Sequence, residues 1–285
     1  MTLSLLQLLV NCTPAAQTLI IGGHMFPHIA HLYGPIWIQS YGFMIAVGLL
    51  IFLYFSINHP QRKKIISKDL YINGVFFGLL CGVAGGRLLY ALSYPAEFTG
   101  RWHELFLPWI GGLTVIGAII GVLIGGFWYL KRHHIPVLPL FDLVALFAPL
   151  MHAISRLGCF AAGCCYGAPA AALLWAVTFI NPDAHAPLFI PLHPTQLYAS
   201  AASAITFSIL FFLQKRLLKN PGIMLCSFLM LENIARFILD FWRGDRDPII
   251  GTIGSLVISQ VQMYSVVGLL CTIAGLLWLL SSKKP

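Results

Sequence analysis

Residues 152–167 read H-A-I-S-R-L-G-C-F-A-A-G-C-C-Y-G, and the rest of the chain is best interpreted outward from this stretch. It closes an apolar run that begins near Phe141, and it contains Arg156 together with three of the seven cysteines. Because a charged side chain is costly in hydrocarbon, an arginine at the end of such a run is by default a candidate functional residue. We therefore expect the stretch to help form an intramembrane pocket for an anionic lipid head group.

The composition is that of a polytopic membrane protein. Of 285 residues, 59% are apolar and 9% are charged, and the mean hydropathy is +0.85, whereas soluble domains carry about 25% charged residues. A soluble fold of this length could not cover so much apolar surface. The net charge of +8 does not indicate a nucleic-acid partner, because the basic residues form short clusters between apolar runs, as is typical of membrane orientation.

Seven apolar segments are long enough to span a bilayer, at about 20 residues each. We predict an all-α integral membrane protein with about seven transmembrane helices, near residues 37–57, 70–93, 110–130, 139–157, 197–214, 221–241 and 258–281. Residues 1–36 are interpreted as an interfacial or periplasmic arm and residues 37–285 as the transmembrane domain. The Pro- and Ala-rich residues 168–192 are interpreted as a segment outside the membrane.

The basic residues predict the orientation. Eleven of the 17 Lys and Arg residues, including every lysine, lie in the loops after the first, third and fifth spans or at the C-terminus. The positive-inside rule makes these loops cytoplasmic, so the N-terminus is predicted outside and the C-terminus in the cytoplasm.

The other six basic residues are all arginines outside those loops: Arg87, Arg101, Arg156, Arg236, Arg243 and Arg246. A guanidinium group keeps its charge and presents a planar fork that binds phosphate through two hydrogen bonds. Several arginines converging in the outer half of a bundle would suit a phospholipid head group. Snorkelling or pairing with Asp240, Asp245 and Asp247 is an equal alternative for Arg243 and Arg246. Arg156 has no acid nearby in sequence, which favours a functional role.

On a helix, His152, Arg156, Cys159 and Gly163 would share one face. A histidine one turn from an arginine could act as a general base near a bound phosphate. A hydrogen-bonded core histidine is an equally good interpretation of His152.

The cysteines leave several interpretations open. Cys159 and Cys164 could be nucleophiles, a redox pair, metal ligands together with His152, or small packing residues; packing is favoured for Cys165. The C-x4-C-C spacing matches no strong zinc pattern, so neither a metal nor a cofactor is predicted.

A second polar cluster, H-P-T-Q-L-Y at residues 193–198, leads into the fifth span. Thr195 is expected to cap that helix. The side chains of His193, Gln196 and Tyr198 are expected near the outer interface.

Six blocks in this order resemble the prolipoprotein diacylglyceryl transferase family: S-Y-G-F-M at 40–44, G-G-R-L-L-Y at 85–90, G-G-L-T-V at 111–115, S-R-L-G-C-F-A-A-G-C-C-Y-G at 155–167, H-P-T-Q-L-Y at 193–198 and A-R-F-I-L-D-F-W-R at 235–243. Each block is weak alone, but the ordered set is specific. The resemblance implies a multi-pass transferase of the bacterial cytoplasmic (inner) membrane. Such an enzyme moves the diacylglyceryl group of phosphatidylglycerol to the thiol of a lipobox cysteine in a prolipoprotein signal peptide, the first step of lipoprotein maturation, and releases glycerol 1-phosphate.

The residues and the resemblance together give a predicted site. The predicted catalytic residues are Tyr41, His152, Arg156, Cys159, Cys164 and Arg236, with Arg156 and Arg236 holding the phosphate. The predicted substrate-binding residues are Arg87, Gly167, His193, Gln196, Tyr198, Asp240 and Arg243. The expected partners are phosphatidylglycerol and the signal peptide, without nucleic acid, and the expected state in the membrane is a monomer.

Four positions depart from the family pattern. Ile116 stands where the family has a histidine, Cys159 and Cys164 replace a signature asparagine and glutamate, and Ala199 replaces an acid. The chain is thus similar to a divergent member, in which His152 could replace the missing base. The alternatives are a related lipid transferase with another acceptor and a cysteine intermediate, or a non-enzymatic membrane protein that binds thiols or metal or transports a small solute.

Overall fold

The computed structural model describes residues 19–20, 27–33, 36–106, 112–246, 249–253 and 256–281. Within these ranges lie seven helices of 17 to 26 residues: α1 Ser40–Asn58, α2 Lys68–Ser93, α3 Val115–Arg132, α4 Val137–Ala162, α5 Thr195–Leu217, α6 Ile223–Leu239 and α7 Gln260–Ser281. A short helix, Pro60–Ile65, and three 3-10 helices, Pro95–Phe98, Trp102–Phe106 and Asp240–Trp242, lie between them. Most of the predicted arm and the start of the predicted third span lie outside the described residues.

Each long helix coincides with one predicted span. Five of those in the described ranges, α1, α2, α4, α5 and α7, are long and apolar enough to cross a membrane. The other two, α3 and α6, have 18 and 17 residues. The chain is therefore mostly helical and has the helices of a multi-pass membrane protein, while the number of seven spans stays a prediction.

Short strands accompany the helices, so the prediction of an all-α chain was wrong in this detail. The strands are β1 Leu19–Ile20, β2 His28–Tyr33, β3 Ile36–Gln39, β4 Val177–Thr178, β5 Pro191–Leu192, β6 Ile249–Ile253 and β7 Leu256–Ser259. β4 pairs in parallel with β1 and antiparallel with β5, while β2–β3 and β6–β7 are antiparallel hairpins that lead directly into α1 and α7. Backbone groups outside helices need partners, and these ladders supply them.

The chain divides into two compact units. In the unit Leu53–Val144, α2 and α3 pack closely along their glycines. A Cβ added to Gly85 would meet the Gly117 carbonyl, and one added to Gly121 would meet the Cys81 carbonyl. Small residues at these contacts allow the two backbones to approach each other.

Arg87 of α2 is buried in this same unit, with 5% of its surface exposed. Its Nε donates to the Leu105 carbonyl at 3.3 Å, Nη1 to the Gly112 carbonyl at 3.0 Å and Nη2 to the Glu104 carbonyl at 2.5 Å. The guanidinium also lies 5.2 Å from the centre of the Phe98 ring. Arg87 thus joins α2 to the loop that leads to α3.

The second unit comprises Met1–Phe52 and Ala145–Pro285. Here the Ser200 hydroxyl donates to the Ala153 carbonyl at 2.8 Å, which joins α5 to α4. The segment 168–192 has a small hydrophobic core of its own, formed by Val177, Phe179, Ala186 and Leu192. This segment is therefore a folded element, attached to the turn that follows α4.

Candidate active site

The C-terminal end of α4 carries the first part of the site. The helix continues to Ala162, five residues past the predicted span, and includes Pro149. His152, Arg156 and Cys159 are therefore helical and share a face, as predicted. Gly163, predicted on the same face, lies beyond the helix with φ of +70°.

His152 is the centre of a polar network. Its Nε2 accepts a hydrogen bond from Arg156 Nε at 2.9 Å, and its Nδ1 lies 3.0 Å from Ser203 Oγ and 3.3 Å from Glu232 Oε1. Because Nε2 is an acceptor, the proton of the neutral ring belongs on Nδ1, from which it can be donated to Glu232 or Ser203. Glu232 Oε1 is also 3.9 Å from Arg236 Nε. The network joins α4, α5 and α6.

Sequence reasoning missed Glu232 and Ser203. Glu232 had a usable signal, since it is an acid inside the apolar sixth segment and lies one turn before Arg236. Ser203 had none, because serines recur along the fifth segment and only the fold distinguishes this one.

An open cleft lies beside the network. Six predicted site residues line it: His152, Arg156, Gln196, Arg236, Asp240 and Arg243. Among the described residues, the terminal nitrogens of Arg156 and Arg236 have no hydrogen-bond partner; each arginine is held only through its Nε. Two forks are therefore available to a ligand in one cleft.

Two buried acceptors line the same cleft. Gln196 and Asp240 are each only 1% exposed, and in the described part of the chain Gln196 Oε1 and Asp240 Oδ1 accept no hydrogen bond. The other Asp240 oxygen accepts from Ser259 Oγ at 2.6 Å and from Arg246 Nε at 3.2 Å. A buried acceptor without a partner costs about 1–3 kcal/mol. Both oxygens are shielded by the residues around them, so each would gain a hydroxyl donor from a ligand only when its side chain rotates toward the cleft.

Arg243 and Arg246 form ion pairs, which was the alternative interpretation of both; Asp247, a third expected partner, lies outside the described residues. Arg243 Nε and Nη2 donate to the two oxygens of Asp245 at 2.9 and 2.8 Å. Burial would lower the pKa of Arg243, but the hydrogen bond and negative charge of Asp245 raise it above its ordinary value, so the group stays charged. Arg243 adds positive charge to the cleft, although its fork is occupied.

Gly167, His193 and Tyr198 are not among the residues found to line the cleft; they join its neighbouring segments. Gly167 pairs with Arg243 in an antiparallel bridge, and an added Cβ there would collide with the His193 backbone. The Tyr198 hydroxyl accepts from Trp175 Nε1 at 2.7 Å and lies 3.4 Å from His193 Nδ1. These contacts link α5 to the segment 168–192.

Tyr41 lies in the first turn of α1 and packs beside α4. A Cβ added to Gly158 would lie 3.2 Å from the Tyr41 Cα, so Gly158 permits this close approach two residues from Arg156. Arg87 and Ile116 belong to the other unit. The predicted binding role of Arg87 stays a prediction.

The three cysteines of the opening stretch come together. All three are free thiols, and their Sγ atoms lie within 4.8 Å of one another. Cys165 lines the cleft, whereas Cys159 and Cys164, the two predicted catalytic cysteines, lie behind it. Thr195 is not the cap of α5 as expected: Pro194 is the N-cap, and the Thr195 hydroxyl donates to the Cys165 carbonyl at 2.9 Å.

A sequence profile of the prolipoprotein diacylglyceryl transferase family matches residues 27–280. The chain belongs to this family. The resemblance drawn from the six sequence blocks is therefore confirmed, and with it the membership of the chain in a class of membrane transferases.

Relatives from distant bacteria agree. A phosphatidylglycerol–prolipoprotein diacylglyceryl transferase of Clostridium tetani is 32% identical over 246 residues, which cover 85% of this chain and 94% of the relative. Proteins of the same name from Paracidovorax citrulli and Thermotoga maritima are each 31% identical, over 92% and 88% of this chain and 98% and 84% of their own lengths. The similarity extends over nearly the whole transmembrane region.

Proposed function

We propose that this protein transfers the diacylglyceryl group of phosphatidylglycerol to the thiol of a lipobox cysteine in a prolipoprotein signal peptide. The relatives are named for this donor and acceptor. The observation that supports the proposal is the set of polar groups at one cleft. The terminal nitrogens of two arginines there have no hydrogen-bond partner among the described residues, and two buried side-chain oxygens have no donor.

That content matches the head group of phosphatidylglycerol, which joins an anionic phosphate to a glycerol with two hydroxyls. Arg156 and Arg236 bind the phosphate oxygens through charge-assisted hydrogen bonds. Gln196 Oε1 and Asp240 Oδ1 accept hydrogen bonds from the glycerol hydroxyls. A phosphocholine head group, which has no hydrogen-bond donor, would leave both acceptors unpaired, which favours the glycerol lipid over phosphatidylcholine.

The chemistry requires a thiolate and a stabilised leaving group. The acceptor sulfur bonds to the glyceryl carbon while the bond from that carbon to the phosphate oxygen breaks, and glycerol 1-phosphate leaves with the electron pair. Arg156 and Arg236 stabilise the charge that develops on the phosphate. When Arg156 turns to the phosphate it releases His152 Nε2, which takes the thiol proton, while Glu232 and Ser203 hold the ring at Nδ1.

Other predicted residues of the same unit would support this centre. We propose that Gly167, His193, Tyr198 and Arg243 shape the side of the cleft that receives the signal peptide. Tyr41 contributes its hydroxyl from α1, and Cys159 and Cys164 support the reaction from behind Cys165.

The proposed setting is the bacterial cytoplasmic (inner) membrane, with seven spans, the N-terminus outside, the C-terminus in the cytoplasm and the protein as a monomer. The alternation of lysine-containing loops supports this orientation. This orientation places the Arg156 end of α4 in the outer half of the bilayer, where a translocated signal peptide exposes its lipobox.

The test is a transfer assay with the purified chain in detergent. A lipobox peptide is incubated with phosphatidylglycerol, and mass spectrometry is expected to find a diacylglyceryl thioether together with released glycerol 1-phosphate. A peptide with serine in place of the acceptor cysteine and a phosphatidylcholine donor are the matched controls, and both should give no product. Failure with phosphatidylglycerol, where the Clostridium tetani relative succeeds, would refute the proposal.

A further inference from the structure

The phosphate chemistry described above gives no bond-making step to Cys159, Cys164 and Cys165, whose thiols form a cluster. Cys159 lies on the last turn of α4 and is 5% exposed, and the other two thiols are partly buried. Within the described residues, this is the one group of three metal-ligating side chains whose ligand atoms come together.

The spacing of the sulfurs suits a metal ion. Three thiolates at about 2.3 Å from a tetrahedral ion lie about 3.8 Å from one another, and the Sγ atoms here all lie within 4.8 Å. A small contraction would complete the set. A disulfide requires a sulfur–sulfur distance of about 2.05 Å, which demands a much larger movement and leaves one thiol over.

Buried side chains hold the turn that carries these sulfurs. Gln196 Nε2 donates to the Cys164 carbonyl at 2.8 Å, and Thr195 Oγ1 donates to the Cys165 carbonyl at 2.9 Å. The Cys164 amide donates to the Cys159 carbonyl at 3.1 Å. The turn is therefore anchored to α4 and α5. The Cys164 thiol itself donates to the Cys159 carbonyl at 3.7 Å, a contact that a metal–sulfur bond would replace.

The charges near the cluster also favour an ion. Three thiolates and one Zn²⁺ carry a net charge of −1, which is costly in a buried place unless cations are near. Arg156 and Arg243 line the cleft together with Cys165, so positive charge is present on that side.

We propose that Cys159, Cys164 and Cys165 bind one thiophilic d10 ion, Zn²⁺ or Cu⁺, which keeps an open coordination position on the cleft side, at Cys165. Thiolates select these ions, and three protein ligands with one open position are typical of catalytic zinc sites. The C-x4-C-C spacing alone argued against a metal because it does not reveal the turn that folds Cys164 and Cys165 back toward Cys159.

An open position gives the ion a role that rests on the proposed function. When bound, the ion would favour the thiolate form of an acceptor thiol. His152 would take the thiol proton, and the sulfur would form the bond to the glyceryl carbon as the bond from that carbon to the phosphate oxygen breaks. Such an ion would assist deprotonation in a chain where Ile116 stands at the position of the family's histidine.

Metal binding is tested without reference to activity. The full-length protein is purified in detergent under reducing, anaerobic conditions, and its metal content is measured by mass spectrometry. We expect about one equivalent of zinc or copper, lost in Cys159→Ser and Cys165→Ser but retained in the control variants Cys226→Ser and Cys271→Ser. Because a triad variant could misfold, wild-type protein stripped of metal is also titrated with Cd²⁺, and one equivalent should produce the thiolate-to-cadmium absorption band.

Two further measurements identify the ion and its open position. Separate zinc-selective and copper(I)-selective chelators show which ion competes for the site. A Co²⁺-loaded sample should change its visible spectrum when the lipobox peptide is added and stay unchanged with the serine peptide. No stoichiometric binding of either ion, no cadmium band, or a disulfide within the triad in the anaerobic protein would overturn the proposal. Full transfer by stripped protein would remove the thiol-activating role while leaving the proposed function intact.

Discussion

Arg87 and Arg156 are both arginines in apolar helices, yet their surroundings differ completely. Arg87 donates from all three guanidinium nitrogens to backbone carbonyls of the loop before α3. Arg156 uses only Nε, on His152, and its terminal nitrogens face a cleft. One arginine completes the hydrogen bonding of a loop, and the other retains the donors that a phosphate needs.

The comparison shows what distinguishes a structural arginine from one available to a ligand. The carbonyls of Glu104 and Leu105 belong to the end of the short 3-10 helix Trp102–Phe106, and that of Gly112 to the loop before α3. Carbonyls at such places lack helical partners and need donors.

Around Arg156 the neighbours are side chains of the helices, among them His152 and Glu232. They balance its charge without bonding to its two terminal nitrogens. Four predictions, centred on Arg156, Arg87, Glu232 and Tyr198, test or refine this contrast, and they run from the largest expected effect to the smallest.

Arg156→Ala should lower the initial rate of diacylglyceryl transfer by about 1,000-fold or more, because a preorganised charge on the leaving phosphate is lost. Arg156→Lys should keep only a small part of the rate, since an ammonium group lacks the bidentate fork. The thermal midpoint of the purified protein should change little in either variant. Equal transfer rates in all three proteins would contradict the assignment of Arg156 to the phosphate.

Arg87→Ala should act on stability instead. Removing the guanidinium leaves buried carbonyls without donors, so we expect a loss of about 3 kcal/mol in the free energy of unfolding, measured by denaturant titration in detergent. Arg101→Ala is the matched control, because Arg101 is exposed and its pair with Glu104 should contribute little. If Arg87→Ala were stable but inactive, Arg87 would bind substrate, and the contrast with Arg156 would be wrong.

The helices could be read from the sequence because apolar runs of about 20 residues have few other interpretations. Their ends could not: α4 continues to Ala162, five residues past the predicted end, because apolar length locates a span and not the turn at which its helix stops. The two-residue strands around β4 are too short to show an alternating pattern. Thr195 looked like a cap, but its hydroxyl is used by a carbonyl thirty residues away in sequence.

The candidate site was predictable where a residue type is unusual for its place. Arg156 and Arg236 stood out as charges in apolar runs. Glu232 carried the same signal, because an acid inside an apolar segment is as unusual as an arginine there, but it was not among the predicted residues. Nothing local could show that Gly163 and Cys165, with φ of +70° and +55°, turn the chain so that the three thiols meet. The three thiols are close together because of this turn and because the buried Gln196 side chain holds it in place.

Glu232→Gln tests whether the negative charge beside His152 positions the ring within the cleft. The amide keeps the size of the side chain but removes the negative charge that holds His152 Nδ1 and balances Arg236. We expect a 10- to 100-fold fall in kcat with a smaller change in KM, measured with phosphatidylglycerol and the lipobox peptide. Ser203→Ala removes the other neighbour of Nδ1 and should reduce kcat only a few-fold. A larger loss in Ser203→Ala than in Glu232→Gln would show that the hydroxyl, not the carboxylate, positions the ring.

Tyr198→Phe should have the smallest effect, because Tyr198 joins segments beside the cleft rather than lining it. The substitution removes an acceptor for Trp175 Nε1 and should cost about 1 kcal/mol of stability, with transfer slowed about 2- to 5-fold. Tyr54→Phe is the control, since Tyr54 is exposed on α1. A loss as large as that of Arg156→Ala would place the Tyr198 hydroxyl on the substrate, and Tyr198 would then join Gln196 among the α5 residues that form the cleft.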